Sequence, residues 1–266
     1  MPTAGWLIHE ALRGAPRCAT RSADVTTTTL RLGQALFRLR SLTPVPVVLV
    51  CGWLLWVNRA EVPAFGGLWA SIGLVLALVG QALRYFTLGW VPEGTSGQNL
   101  VIQAATLNTR GPYSHVRNPL YVGNLGIVAG LLLIANDWVV AAVGLAFFFG
   151  EYFFIIRAEE SFLRSKFGEA FDAFCAKVPR WVPRVTPAYP EGRLRDGGFD
   201  WRRALKKEIN PFSAWVSAAI GLALFQRWAH GVPLDSQTTV VLIGLWSATL
   251  LALLIIKAWK KGWVFS

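Results

Sequence analysis

Six apolar stretches, at 44–57, 68–88, 121–134, 138–156, 211–228 and 238–256, constrain this 266-residue chain more than any other feature. Hydrocarbon offers the backbone no hydrogen-bond partners, so a chain crosses it as a helix or a closed barrel, and a helix needs roughly 20 mostly apolar residues to span about 30 Å. The stretches therefore predict an all-α integral membrane protein with about six transmembrane helices. The first and third are short and read as tilted, extended by their neighbours or partly re-entrant. Only 15% of the residues are charged, against roughly 25% in soluble domains. Many of the thirteen tryptophans stand near the ends of the apolar stretches, where the amphipathic indole ring settles at headgroup level.

The charge of +11 is distributed in a way that indicates orientation. Cytoplasmic segments retain Lys and Arg during insertion. With six spans and a cytoplasmic amino terminus, 23 of the 26 basic residues fall on the cytoplasmic side, only Arg59 and Arg227 fall opposite, and Arg84 lies within a span. Both termini and the polar segments are thus expected on the cytoplasmic face, with membrane lipids as partners. The basic residues form no continuous stripe or reading motif, so nucleic acid is not an expected partner. Cys18, Cys51 and Cys175 follow no metal or disulfide pattern, and His9, His115 and His230 lack ligand spacing, so no metal is expected. Residues 1–43 read as a basic cytoplasmic arm, partly disordered or lying on the surface, and 44–67 as the first span and its loop.

The third and fourth stretches are separated by little more than Asn136 and Asp137, which predicts an antiparallel hairpin. The polar segments 90–119 and 157–189 flank it and so emerge on one face. Within the second, Phe162, Leu163, Phe167, Phe171 and Phe174 recur at helical spacing, predicting an amphipathic helix over 159–177 near the interface. Three prolines break the segment 178–187. The basic stretch 201–208 reads as a surface helix drawn to anionic lipid.

Two local patterns stand out. Glu159 and Glu160 lie just past the fourth stretch, where insertion requires no acid; surface pairing with Arg157, Arg164 and Lys166 is the plain alternative. The run TRGPYSHVRNPLYVG, 109–123, places irregular backbone at the membrane edge, since Pro112 and Pro119 turn the residues before them away from helix. Such backbone must be satisfied by protein, water or a ligand. An interfacial anchor built from Tyr113, Tyr121 and Arg117 is the alternative.

Together, this run, the apolar hairpin and EESFLRSKFGEAFDAFCAKVPRWVPR (159–184) resemble the isoprenylcysteine carboxyl methyltransferase family and the related phospholipid N-methyltransferases. The resemblance covers about 68–187 and implies a cytoplasmic-side pocket for S-adenosylmethionine, formed by interfacial loops and a short amphipathic helix, with a lipid-like or prenylated acceptor arriving from the bilayer. It divides the chain into a methyltransferase core at 68–190, a basic linker or surface helix at 191–210 and an additional transmembrane hairpin at 211–266. Carried over by position, it implies cofactor contacts from Gln98, Leu107, Tyr113, His115, Arg117, Asn118, Pro119, Leu120, Tyr121, Glu159 and Glu160. Arg157 and Glu160 are the implied catalytic pair, with Arg157 near the substrate. Asn118 stands where the family has histidine; it can hydrogen-bond but cannot titrate near neutral pH.

The chemistry suits these residues. The cofactor carries a sulfonium, an ammonium and a carboxylate, which glutamate, arginine and aromatic rings complement. Methyl transfer is an in-line displacement that needs no enzyme nucleophile. Arg84 within a span reads either as snorkelling to the interface or as lining the substrate cavity. Two other readings stay open: a lipid-binding or scaffolding protein of the same fold, and a membrane reductase of the sterol type. The oligomeric state is not legible.

Overall fold

The computed structural model describes residues 26–61, 63–91, 102, 104–189 and 198–260. Among these there are eight α-helices and no strand. They are α1 (Thr27–Leu39), α2 (Pro44–Val57), α3 (Gly67–Trp90), α4 (Pro119–Ala135), α5 (Trp138–Phe167), α6 (Glu169–Lys177), α7 (Trp201–Ala229) and α8 (Gln237–Lys260). The protein is an all-α integral membrane protein. Four helices are long and apolar enough to cross a bilayer: α3, α5, α7 and α8. α1 and α2 together make a fifth candidate, interrupted at 40–43, while α4, with 17 residues, is shorter than a span. At 1.5 Å per residue α4 is about 26 Å long, against roughly 30 Å of hydrocarbon. All six apolar stretches are helical, but two fall short of crossing alone.

The chain divides into two bodies. Among the described residues, the first comprises 26–39, 91, 102, 104–118 and 153–189, and the second 40–61, 63–90, 119–152 and 198–260. α5 contributes to both, changing over after Tyr152.

In the second body, α3 and α4 approach closely because small residues line both contact faces. A Cβ on Gly73 would lie 2.5 Å from the Gly130 carbonyl oxygen, and one on Gly80 would lie 2.5 Å from that of Gly123. Side chains of ordinary size would force the backbones apart, as in other membrane helix pairs built on small residues. The turn between α4 and α5 uses Asn136 at φ 52 and Asp137, whose carboxylate accepts the Val139 and Val140 N–H groups at 2.8 and 2.9 Å. It is the expected hairpin, capped at the start of α5 by a side chain that takes two of its otherwise unpaired N–H groups.

Three of the polar stretches gain detail from the fold. Residues 27–39 of the basic arm form a helix whose Gly33 lies against α5; a Cβ there would come within 2.8 Å of the Ala158 Cβ. The basic stretch 201–208 is the first part of α7, which continues through Pro211 to Ala229 and is capped by Asp200 accepting the Arg203 N–H at 2.9 Å. The expected amphipathic helix 159–177 is two helices. Its first half extends the fourth span, and Gly168, at φ 51, interrupts it before α6.

Candidate functional site

In the first body, the two irregular segments singled out by the prolines are laced together. The 3-10 turn Gly111–Ser114 opens with Gly111 at φ 55. Ser114 is buried; its hydroxyl accepts the Tyr189 N–H at 2.9 Å and its carbonyl the Ala188 N–H at 2.8 Å. The His115 carbonyl accepts from Arg184 N–H at 3.0 Å, while its ring Nδ1 lies 2.7 Å from the Arg184 carbonyl, which can only accept. The Arg117 N–H donates to Pro179 at 2.8 Å, and the Asn118 amide donates to the Arg180 carbonyl at 3.2 Å. Protein therefore satisfies much of the irregular backbone.

Glu160 lies against this lacing and is 5% exposed. Its Oε1 accepts from Arg117 Nη1 at 3.1 Å and from Arg180 Nε at 3.0 Å, and its Oε2 accepts from Arg180 Nη2 at 2.6 Å. Arg117 Nη1 is also 2.9 Å from Cys175 Sγ. A carboxylate buried this deeply requires partners. Two guanidinium groups against one carboxylate leave this triad net positive. Arg180 is its more accessible member, with 30% of its side chain exposed against 12% for Arg117.

Burial raises the Tyr113 phenol well above its ordinary pKa, and the neighbouring Glu159 carboxylate raises it further, so the ring stays neutral. Arg157 lies three residues before Glu160 on α5. Its guanidinium covers the Phe153 ring at 4.2 Å, and its Nε is buried with no hydrogen-bond partner among the described residues. Below the cluster, Phe171, Phe174, Cys175 and Val178 form an apolar base against which Leu107 and Tyr189 pack.

The first body thus holds Leu107, Tyr113, His115, Arg117, Asn118, Arg157, Glu159 and Glu160. Arg84, Pro119, Leu120 and Tyr121 belong to the second body, and Gln98 lies outside the described residues. Tyr121 packs its ring on Tyr152 at 4.5 Å, and Pro119 is buried at the first position of α4. Arg84 pairs with Glu208 of α7 and hydrogen-bonds Asn124, so its guanidinium is committed within the protein instead of reaching for the membrane edge. Asn124 in turn donates to the Tyr152 hydroxyl at 2.6 Å. Sequence reasoning missed Arg180 and Glu208. The first stands in the proline-broken segment, where its pairing depends on the fold-back at Gly168, and the second was hidden among basic neighbours. Among the described residues no group of three or more His, Cys, Asp or Glu is placed to hold a metal ion.

No solved structure matches the chain. The cobalt-zinc-cadmium resistance protein CzcN of Cupriavidus metallidurans is 36% identical over 121 residues, 45% of this chain and 54% of that protein. The nickel-cobalt-cadmium resistance protein NccN of Alcaligenes xylosoxydans xylosoxydans is 31% identical over 131 residues, 49% of this chain and 54% of that one. The chain thus spans about half the length of these curated relatives. Residues 68–170, which include Arg117 and Glu160, match the model of the phospholipid methyltransferase family.

Proposed function

We propose that this protein is an S-adenosylmethionine-dependent methyltransferase acting on a lipid-like or prenylated acceptor at the cytoplasmic side of the membrane. The observation that carries the reading is the buried Arg117–Glu160–Arg180 cluster, whose first two members lie inside the segment matching a methyltransferase family. The Lys and Arg distribution supports the sidedness.

The residues fit the cofactor's charges. S-adenosylmethionine, when bound, supplies an electrophilic methyl group on a sulfonium. Arg180 and Arg117 bring net positive charge that suits a carboxylate, and Glu160 holds both guanidinium groups in place. Glu159, half-buried on the next position, offers an anionic partner for an ammonium. Tyr113, kept neutral by its burial, presents an aromatic surface to a cation or an adenine. Asn118 uses its amide on the Arg180 backbone, a positioning role that needs no titrating side chain. Alignment of donor with acceptor and exclusion of water then supply the catalysis.

Calorimetric titration of the detergent-purified full chain tests the reading. Saturable binding of S-adenosylmethionine and S-adenosylhomocysteine is expected, weakened about tenfold or more in Arg180→Ala, the scale of a lost charge-assisted pair. A folded sample that binds neither compound overturns it. Binding of a nicotinamide cofactor instead would favour the reductase.

A further inference from the structure

α1 lies outside the segment 68–170 that matches the methyltransferase family, and nothing in the proposed reaction uses it. Its 13 residues include no acid, and none occurs in the sequence from 25 to 60. At 3.6 residues per turn, three residue pairs give the helix three faces, roughly a third of a turn apart. Gly33 and Phe37 are buried, and Gly33 seats against the Phe154 carbonyl and Ala158 of α5. Leu32 and Leu39, 43% and 50% exposed, make an apolar face. Arg31 and Arg38, both exposed and two turns apart, make a basic one.

The seat on α5 sets the depth of α1. Trp138, 82% exposed, begins α5, and roughly 20 residues of helix cross the hydrocarbon, so 154–158 stand at its far edge. Arg157, in that stretch, is the first basic residue of α5, as such an edge requires. A helix held there meets lipid headgroups. Two arginines make α1 a poor crossing segment, whereas a helix lying in the interface uses them beside an apolar face. We propose that α1 is a docking surface for anionic phospholipid, its leucines entering the bilayer and Arg31 and Arg38 pairing with lipid phosphates. A zwitterionic headgroup carries its own cation, which offsets its phosphate. The basic face, with no acid on its own helix to neutralise it, therefore selects lipid of net negative charge.

This docking stands whether or not the protein transfers methyl groups. The test follows amide hydrogen exchange by mass spectrometry in the full chain, held in nanodiscs of phosphatidylcholine alone or of phosphatidylcholine and phosphatidylglycerol in equal parts. Exchange across 27–39 is expected to be at least about fivefold slower in the anionic discs, the factor that about 1 kcal/mol for one basic residue near an anionic leaflet produces. Added salt should shrink the difference. The double substitution Arg31→Gln, Arg38→Gln should remove most of it, and because both side chains are exposed the helix keeps its seat on α5. Exchange at the Asn136 turn, at the other end of α5, is the reference that separates docking from a general change in stability. Equal exchange across 27–39 in the two kinds of disc overturns the inference, as does protection by anionic lipid that the double variant retains in full.

Discussion

Arg84 of α3 and Glu208 of α7 form a two-point ion pair, with Nη2 2.6 Å from Oε1 and Nε 2.9 Å from Oε2. Only 12% and 3% of the two side chains are exposed. Gln81 adds its amide to the same carboxylate at 2.7 Å and accepts the Trp215 indole N–H at 2.8 Å, so one network ties α3 to α7.

Because both charges are buried, removing one strands the other. Glu208→Ala should destabilise the folded protein by about 3–5 kcal/mol, whereas the double substitution Arg84→Met, Glu208→Leu should recover most of the loss. Thermal unfolding in detergent, read by loss of the monodisperse chromatographic peak, distinguishes these outcomes. Equal losses in the single and double variants would show that the polar network, not an unpaired charge, sets the cost.

The close approach of α3 and α4 predicts a contrast among glycines. Gly80→Leu must displace the Gly123 backbone and should cost about 1–3 kcal/mol or more, as overpacking does. Gly244→Leu on α8, where a Cβ meets nothing within 4 Å, should stay within about 0.5 kcal/mol. The same unfolding measurement compares them.

Asp137 separates stability from cofactor binding. Its carboxylate caps α5, so Asp137→Ala should lose about 1 kcal/mol of stability. It belongs to the second body, while the Glu160 cluster belongs to the first. S-adenosylmethionine affinity by calorimetry should therefore stay unchanged, while Glu160→Ala weakens it.

Asp200 gives the start of α7 a pH dependence. The Arg203 N–H it accepts holds its carboxyl below the ordinary range, against a smaller opposing effect of burial. A depressed carboxyl pKa contributes stability that is complete above the unfolded value and fades as pH falls through the folded value. Asp200→Asn, which still caps, should flatten that acid limb. Helix content followed by circular dichroism between pH 6 and 2, given as about the window of carboxyl titration, should show unsubstituted protein and variant converging at the acid end.

The helices were legible because hydrocarbon as a solvent leaves the chain few options, and the turn at Asn136 and Asp137 because little chain separates its two apolar runs. α1 was not legible. Its stretch is too short and mixed to announce itself, and what holds Gly33 there is a distant surface on α5. Glu208 was overlooked because local composition suggested a lipid-facing basic helix, whereas its partner Arg84 lies 124 positions away. Around Glu160 the pattern of irregular backbone and acids singled out two segments that the fold laces together. Which arginine would meet the carboxylate was settled by the lacing of 114–118 onto 179–189, a tertiary event without periodicity.

The interruption at Gly168 gives the site a single mechanical dependency. In one unbroken helix, Arg180 would stand about 30 Å from Glu160 along the axis at 1.5 Å per residue; the bend brings it within 2.6 Å. Gly168 has φ 51 and ψ −126, backbone that side-chain-bearing residues rarely adopt. A methyl group at this position would act as a spring pushing the two helices toward one straight rod. The ionic triad could then be dismantled while every membrane-spanning helix stayed folded, which makes this one residue a natural place to install an off-state.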